Sequence, residues 1–314
     1  MDHDVARAGA SHPTVHEGVP YASGERLAAE LAGPVGAALS AGGPVVAVLE
    51  QANRVALAEA LGPAAAAVEW LEPEEVHRVP AFTVAMRWAR LTRRAPRPEL
   101  RTTVIAEHAE LPWLEPGHWA RLDAALNVAL ADLPITMLCA CRDDGDLELL
   151  RATHTTLRVG GSSLPSDTRR DPVQVVTEYP PPPPPDLGTP LAELTFTLTS
   201  LPAVRRLVAA TAPAAGLDGE RSADLVLAVN EIATNSVEHG PGAGRLRLWA
   251  REGPGMVAEV HDVGRMDVPF PGLVAPSPSG ERGRGLWLAS ELSDVLQVWS
   301  DHTGTTVRLL TEPR

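Results

Sequence analysis

The sequence predicts an α/β protein of two domains, and three observations support this class. Residues 44–154 alternate strand-like and helix-like segments, which is typical of a mainly parallel sheet flanked by helices. Residues 180–185 are six consecutive prolines, a composition that marks a linker. Beyond residue 191, an amphipathic helix, alternating strands and a glycine-rich helix entry indicate a second core. The chain of 314 residues, 44% of them apolar, can fill both cores.

The first domain is predicted from four pairs of strands and helices. The strand-like segments are residues 44–49, 68–71, 100–106 and 135–141, and the helix-like segments are residues 52–61, 80–93, 118–130 and 147–154. We expect a doubly wound core, in which ligands lie beyond the carboxyl ends of the strands. The loops after Leu49, Ala106 and Cys141 are therefore the first candidate positions for a ligand.

The first of these loops lacks the residues of a P-loop. It reads Glu50-Gln51-Ala52-Asn53-Arg54, and the whole sequence contains no lysine. A P-loop needs glycines for close backbone approach to phosphate and a lysine for its charge. We therefore expect no ATP hydrolysis by the first domain.

Two cysteines and several histidines fall within the first domain. Cys139 and Cys141 share one side of their predicted strand, and the histidines of this region are His16, His108, His118 and His154. A metal or redox site is one interpretation. Ordinary buried cysteines are the favoured one, because Cys-x-Cys lacks the two-residue interval of zinc sites, and two cysteines do not indicate a disulfide framework.

The proline run predicts a stiff spacer about 19 Å long, at ~3.1 Å per residue. A docking site for a proline-reading module is the alternative. The predicted boundaries are residues 12–158 for the first domain, 159–190 for the linker and 191–314 for the second domain.

The helix predicted around Asn230–Gly240 places Glu231 and Asn235 four residues apart, on one face. The opposite face is apolar apart from a serine, with Leu225, Ala228, Val229, Ile232 and Ser236. Asparagine is a neutral oxygen ligand suited to Mg²⁺, and a glutamate one turn earlier can deprotonate a hydroxyl. The alternative is a solvated acidic face formed by Asp224, Glu231 and Glu238.

Two further motifs follow. Residues 256–261 alternate as a strand and end in Asp262-Val263-Gly264, where a carboxylate can accept a hydrogen bond from the exocyclic amine of adenine. A loop at residues 269–279 precedes Gly280, and the glycine-rich segment from there runs into an apolar helix. Free N–H groups at such a helix start favour phosphate, and Arg282 and Arg284 add charge. Strands at residues 295–299 and 305–310 form a final hairpin.

The order of these motifs resembles the GHKL ATPase superfamily, specifically the anti-sigma-factor serine kinases, over residues 191–313. The resemblance implies a Bergerat α/β sandwich that binds ATP and Mg²⁺, with Glu231 as catalytic base and Asn235 as Mg²⁺ ligand. It further implies adenine recognition by Asp262 and Gly264, with support from the hydroxyl of Thr306, and nucleotide contacts from the remaining members of the boxes, namely His239, Gly283, Arg284, Gly285 and Leu286. Met266 stands where the family often has a second glycine, which affects lid mobility and turnover.

The first domain resembles the MEDS sensory domain, a RecA-like module without the Walker motif. Three segments carry this resemblance, namely His16-Glu17-Gly18-Val19-Pro20-Tyr21, Glu110-Leu111-Pro112-Trp113 and Met137-Leu138-Cys139. It implies that the domain senses an unidentified small molecule.

Together the resemblances imply a signal-responsive anti-sigma factor that controls transcription through proteins. Its partners would be a sigma factor and a STAS-type anti-anti-sigma protein, which it would phosphorylate on Ser or Thr. Kinases of this type are often homodimers, although the spacing gives no independent sign of one. Two alternatives are a nucleotide-gated binding module without catalysis, motivated by Met266, and an atypical sensor histidine kinase.

Other features bear on these alternatives. A histidine kinase needs a dimerisation hairpin with a phosphoacceptor histidine directly before the ATP domain, where this chain has its prolines. The lid of about 18 residues between Gly264 and Gly283 resembles that of the compact anti-sigma kinases. The net charge of −13 argues against direct nucleic-acid binding. With no signal peptide and no apolar run of membrane length, we expect a cytoplasmic protein without membrane contact.

Overall fold

The computed structural model describes residues 14–276 and 284–314. The strands are β1 (Val15–Tyr21), β2 (Val45–Val48), β3 (Val68–Leu71), β4 (Thr102–Glu107), β5 (Ile135–Arg142), β6 (Thr156–Val159), β7 (Ser162–Pro165), β8 (Ala192–Thr197), β9 (Ala243–Ala250), β10 (Met256–Asp262), β11 (Val295–Asp301) and β12 (Gly304–Thr311). The helices are α1 (Gly24–Ser40), α2 (Gln51–Leu61), α3 (Pro73–Val76), α4 (Ala81–Arg93), α5 (His118–Ala129), α6 (Leu147–Thr153), α7 (Pro172–Glu178), α8 (Leu201–Thr211), α9 (Gly219–Glu238) and α10 (Arg284–Leu292).

The described residues divide into two compact units. The first unit contains those of the ranges 1–78, 88–114 and 130–171, and the second contains those of the ranges 79–87, 115–129 and 172–314. Two segments from the N-terminal half, including all of α5, thus group with the C-terminal residues. The predicted domain boundaries at residues 158 and 190 stay a prediction.

The first unit is built on a sheet of seven strands in the order β3-β2-β4-β5-β1-β6-β7. All neighbouring strands run parallel except β6 and β7, which form an antiparallel hairpin. Helices α1 and α2 pack on the sheet through Leu27, Leu31 and Leu57, which are fully buried. The mainly parallel α/β sheet predicted for this part of the chain is confirmed.

The second unit is built on an antiparallel sheet in the order β11-β12-β10-β9-β8. Helices α8, α9 and α10 pack on it through a shared apolar core. Helix α9 supplies the centre of this core with Leu225, Val229 and Ile232, which are at most 2% exposed. An antiparallel sheet with helices agrees with the predicted α/β sandwich.

Helix α9 has well-defined ends, which fix the positions of its polar side chains. The side chain of Asp218 caps its first turn by accepting a hydrogen bond from the N–H of Arg221 at 2.8 Å. The helix ends at Glu238, and His239 is its C-cap. Gly240 follows because a β-carbon there would lie 2.5 Å from the carbonyl oxygen of Ser236.

Side chains of the second unit donate hydrogen bonds to backbone carbonyl oxygens of the proline run. Nη1 of Arg121 donates to Pro180 at 3.1 Å, and Nε1 of Trp299 donates to Pro182 at 2.7 Å. Nη1 of Arg308 donates to Pro185 at 3.0 Å. The run expected as a spacer is therefore held along the surface of the second unit.

All eight predicted segments of the N-terminal half are present to within two residues at each end. Among the strands and α-helices that the structure describes in the first unit, β1, α1, α3, β6 and β7 lay outside the prediction. No helix in the described part of the chain combines the length and apolar character needed to cross a membrane.

Candidate functional site

A cavity of about 320 Å³ opens beside the C-terminal half of α9. Its walls come from α9, from the end of β10 and the loop that follows it, from α10 and from β12. The lining residues are Ile232, Asn235, Ser236, His239, Gly240, Asp262, Gly264, Arg265, Met266, Asp267, Val268, Leu286, Thr305 and Val307. Five of the residues predicted for nucleotide binding therefore meet in one cavity: Asn235, His239, Asp262, Gly264 and Leu286.

Asp262 occupies the last position of β10 and is 9% exposed. Its Oδ1 accepts a hydrogen bond from the N–H of Gly264 at 2.7 Å, which fixes the orientation of the carboxylate. A β-carbon on Gly264 would lie 2.8 Å from that oxygen and 3.1 Å from Cδ of Pro241. Glycine is therefore required at position 264 to leave the carboxylate where it is.

The turn between β11 and β12 packs closely against the backbone of Asp262. Gly304 has a φ of +136°, and a β-carbon there would lie 2.0 Å from the carbonyl oxygen of Asp262. The hydroxyl of Thr305 donates to the carbonyl oxygen of Gly264 at 2.9 Å. Neither residue was among the sequence predictions for this site.

Thr306, which was predicted to support adenine, is not among the residues that line the cavity. Thr305 lines the cavity, whereas the hydroxyl of Thr306 is 3.0 Å from Nδ1 of His261. Successive residues of a strand point to opposite faces, and Val307 and Leu309 on β12 are buried in the core. The alternation therefore places Thr305 on the core side, and this signal was available in the sequence.

Glu231 and Asn235 face the start of α10. A β-carbon on Gly285 would lie 3.0 Å from Nδ2 of Asn235 and 3.3 Å from Oε2 of Glu231. The backbone at the start of α10 thus passes directly over the two polar side chains of α9. A carboxylate, a carboxamide oxygen and the N-terminus of a nine-residue helix form a donor set that suits a magnesium-bound phosphate.

The predicted phosphate segment is described only in part. Gly283, which was predicted to contact the phosphates, and residues 280–282 lie outside the described residues. Arg284 is exposed at the first position of α10, and Leu286 reaches the cavity wall.

Met266 stands in the loop that follows Asp262, the residue predicted to bind adenine. Its N–H donates to Oγ of Ser300 at 2.8 Å, and its side chain lines the cavity. The loop is thereby tied to β11 at Met266.

Part of the chain is similar to known proteins. Residues 194–311 match the family model described as histidine kinase-like ATPase domain, so the second unit carries a domain of this class. A solved structure of the RsbU and RsbW domains of Rv1364c from Mycobacterium tuberculosis is similar at 22% identity, with a TM-score of 0.30. The match covers 40% of this chain and 33% of that one, so the two share only a minor part of their length. No curated protein matches the sequence.

The first unit has a buried polar cluster where β1, β2 and β4 end, and ligand loops were expected after β2 and β4. Glu107 accepts hydrogen bonds from Nδ2 of Asn53 at 2.7 Å, from the N–H of Glu50 at 2.9 Å and from the hydroxyl of Tyr21. Burial, followed by the bond to Glu107, raises the pKa of Tyr21 far above its usual value. The groups satisfy one another, so the cluster fixes the strand ends, and the sensory role stays a prediction.

Proposed function

We propose that this chain is a regulator whose C-terminal domain binds Mg·ATP and phosphorylates a Ser or Thr of an anti-anti-sigma partner, thereby controlling a sigma factor. One observation carries the proposal. Asp262 and Asn235, the expected adenine and magnesium residues, line the same cavity. Glu231 lies one helical turn before Asn235 on α9, and its side chain faces the start of α10.

Each side chain has a specific task in this proposal. The Asp262 carboxylate, held through Oδ1 by the Gly264 N–H, accepts a hydrogen bond from the exocyclic amine of adenine through Oδ2. Asn235 offers its amide oxygen to Mg²⁺, and the N–H groups at the start of α10 bind the phosphates. The bound nucleotide supplies the phosphoryl group.

Glu231 is the proposed general base. Its carboxylate lies beside Gly285, at the start of the helix whose N–H groups would bind the phosphates. There it accepts the proton of the incoming hydroxyl and increases the nucleophilicity of the oxygen. Phosphoryl transfer in kinases depends mainly on position and charge, and both polar side chains stand on a capped, well-packed helix.

The anti-sigma assignment comes from the order of sequence motifs and from what precedes the domain. In the described residues directly before β8, the chain has the seven-residue helix α7 and the proline run, where a histidine kinase has its dimerisation hairpin. The first unit is proposed as the MEDS-type sensory domain, which would respond to a small molecule and adjust the kinase.

Transfer of labelled γ-phosphate from Mg·ATP to a panel of anti-anti-sigma proteins tests the proposal. We expect label that survives acid, as Ser and Thr phosphates do. Label that is lost in acid and survives alkali would instead make the protein a histidine kinase. Asn235→Ala should abolish the dependence of ATP affinity on Mg²⁺, and unchanged dependence would remove the metal assignment.

One observation favours a second function, a nucleotide-gated binding module without catalysis. The hydrogen bond from Met266 to Ser300 ties down the loop that must move for the lid to close and open. In that case the protein binds ATP and a sigma factor, and no partner becomes labelled. Met266→Gly would then raise phosphotransfer from an undetectable level.

A further inference from the structure

A second group of ligating side chains lies in the first unit. His16 on β1, Cys139 on β5 and His154 directly after α6 are all buried, with exposed fractions of 3%, 1% and 0%. Each offers one ligand atom, and these atoms lie within 4.8 Å of one another. The three residues come from segments far apart in sequence, so the fold itself assembles the group.

The distances resemble those of a metal site. The Sγ atom of Cys139 and Nε2 of His16 are 3.4 Å apart, and the rings of His16 and His154 have centroids 4.1 Å apart. In a tetrahedral zinc site, with Zn–N of about 2.05 Å and Zn–S of about 2.3 Å, ligand atoms lie about 3.4–3.6 Å from one another. Cys139 and His16 therefore need little movement to share an ion.

The tautomer of His154 is also suitable. Its Nδ1 is 2.8 Å from the carbonyl oxygen of Leu150, so Nδ1 carries the hydrogen that is donated. The lone pair consequently resides on Nε2. A histidine that donates one ring N–H to a backbone carbonyl while the other nitrogen binds the ion is the usual second-shell arrangement of metal sites.

We propose that Cys139, His16 and His154 bind a transition-metal ion of the zinc class inside the first unit. His108, which is half-buried, hydrogen-bonds Cys139, and its ring centroid is 6.4 Å from that of His154. The mixed thiolate and imidazole set suits Zn²⁺ or Co²⁺ and is unsuited to Mg²⁺ or Ca²⁺. This site is separate from the proposed nucleotide cavity and stands whether or not the chain is a kinase.

Titration of the metal-stripped full-length protein with Co²⁺, without nucleotide, tests the proposal. We expect one equivalent to bind with the absorption of a thiolate–cobalt charge-transfer band, and Zn²⁺ to displace it. Cys139→Ser should lose the band and weaken Zn²⁺ binding by at least about 100-fold, as loss of a ligand costs more than loss of a second-shell partner. Absence of a stoichiometric band in the wild-type protein would overturn the proposal, whatever the variants do.

Cys141→Ser is the matched control. Cys141 is buried on the same strand at 3% exposure, and its Sγ is 3.6 Å from the carbonyl oxygen of Arg142. This variant should bind Co²⁺ as the wild type does. Equal weakening by both serine variants would show that the band reports general disruption of the strand and would contradict the assignment. His154→Gln provides a second ligand variant, and circular dichroism verifies that each variant is folded.

Discussion

At the scale of single residues, the proposed kinase activity depends on Glu231. Glu231→Gln keeps the size of the side chain and removes its ability to accept a proton. We expect phosphotransfer to fall by about 10²–10⁴-fold, the usual contribution of a positioned base. Affinity for Mg·ATP should change little, because Asp262 and Asn235, the proposed adenine and magnesium residues, are untouched. Transfer of label and equilibrium nucleotide binding are measured on the same preparation, and a variant with the wild-type rate would exclude Glu231 as the base.

The backbone of Gly304 packs directly against the backbone of Asp262. In Gly304→Ala, the new methyl would meet the carbonyl oxygen of Asp262 at 2.0 Å, in addition to the strain of a φ of +136°. We expect ATP affinity to fall at least about 10-fold and stability to fall by about 1–3 kcal/mol. Isothermal titration and urea unfolding measure the two effects.

Gly253→Ala separates the clash from the backbone strain. Gly253 also has a positive φ, +98°, and a β-carbon there would meet no heavy atom within 4 Å. This control should lose about 1 kcal/mol of stability from strain and keep its ATP affinity. Equal loss of affinity in both variants would show that the turn at Gly304 has no special link to Asp262.

The residues around the cavity were predictable from sequence where they follow a pattern along a single helix or strand. The four-residue interval between Glu231 and Asn235 and the strand-end position of Asp262 are local patterns, and the cavity contains Asn235 and Asp262 as expected. Thr305 was missed because the resemblance named its neighbour Thr306. Gly304 was missed because its contact with Asp262 joins residues 42 positions apart, which no local pattern reports.

At the scale of secondary-structure elements, the sheet of the second unit depends on a buried carboxylate. Glu259 on β10 is 1% exposed and lies opposite Arg247 on β9 and Arg308 on β12. It forms an ion pair with Arg247, and Nε of Arg308 donates to it at 2.9 Å. The charges on three neighbouring strands therefore fix the register of the sheet at this point.

Removal of this carboxylate should be costly. Glu259→Ala leaves two arginines without their shared partner, and Arg308 is largely buried. We expect a loss of about 3–5 kcal/mol in the free energy of unfolding. Glu193→Ala on β8 is the control, because the pair of Glu193 with Arg245 is exposed and 4.0 Å long, and its loss should cost less than about 1 kcal/mol. Denaturant unfolding of both variants checks the difference, and similar values would contradict a structural role for Glu259.

Elements with clear periodicity were predicted well, and those with mixed signals were missed. Strand β1 contains Gly18, Pro20 and the buried Glu17, none of which is typical of a central strand. Glu17 is tolerated because Nε of Arg158 donates to it at 2.8 Å, and Gly18 is required because a β-carbon would lie 2.8 Å from side chains of Leu150 and Leu157. These reasons are tertiary contacts, so the sequence alone did not reveal β1. Helix α1 was hidden in a similar way by Pro34 and several glycines.

At the scale of the whole molecule, composition predicted a division of the chain at the prolines, whereas the contacts group two N-terminal segments with the C-terminal residues. The six prolines do mark the point after which the C-terminal sheet begins. Arg121 on α5, however, donates to the carbonyl oxygens of Tyr179 and Pro180, and α5 belongs to the second unit. Hydrogen bonds between a helix and a later linker do not alter the hydrophobic periodicity of either segment, so the sequence pattern does not reveal them.

Because the cavity belongs entirely to the second unit, Mg·ATP should stabilise that unit selectively. At 100 times its Kd, a ligand stabilises the state that binds it by about 2.7 kcal/mol, which corresponds to roughly 5–10 °C in Tm for a unit of this size. Differential scanning calorimetry of the full chain should therefore show one transition that moves upward with Mg·ATP. Asp262→Asn should remove the shift, since the carboxylate that would accept the adenine amine is lost. If both transitions moved together in the wild type, the units would unfold as one cooperative block, and if neither moved at saturating nucleotide, the cavity would not be an ATP site.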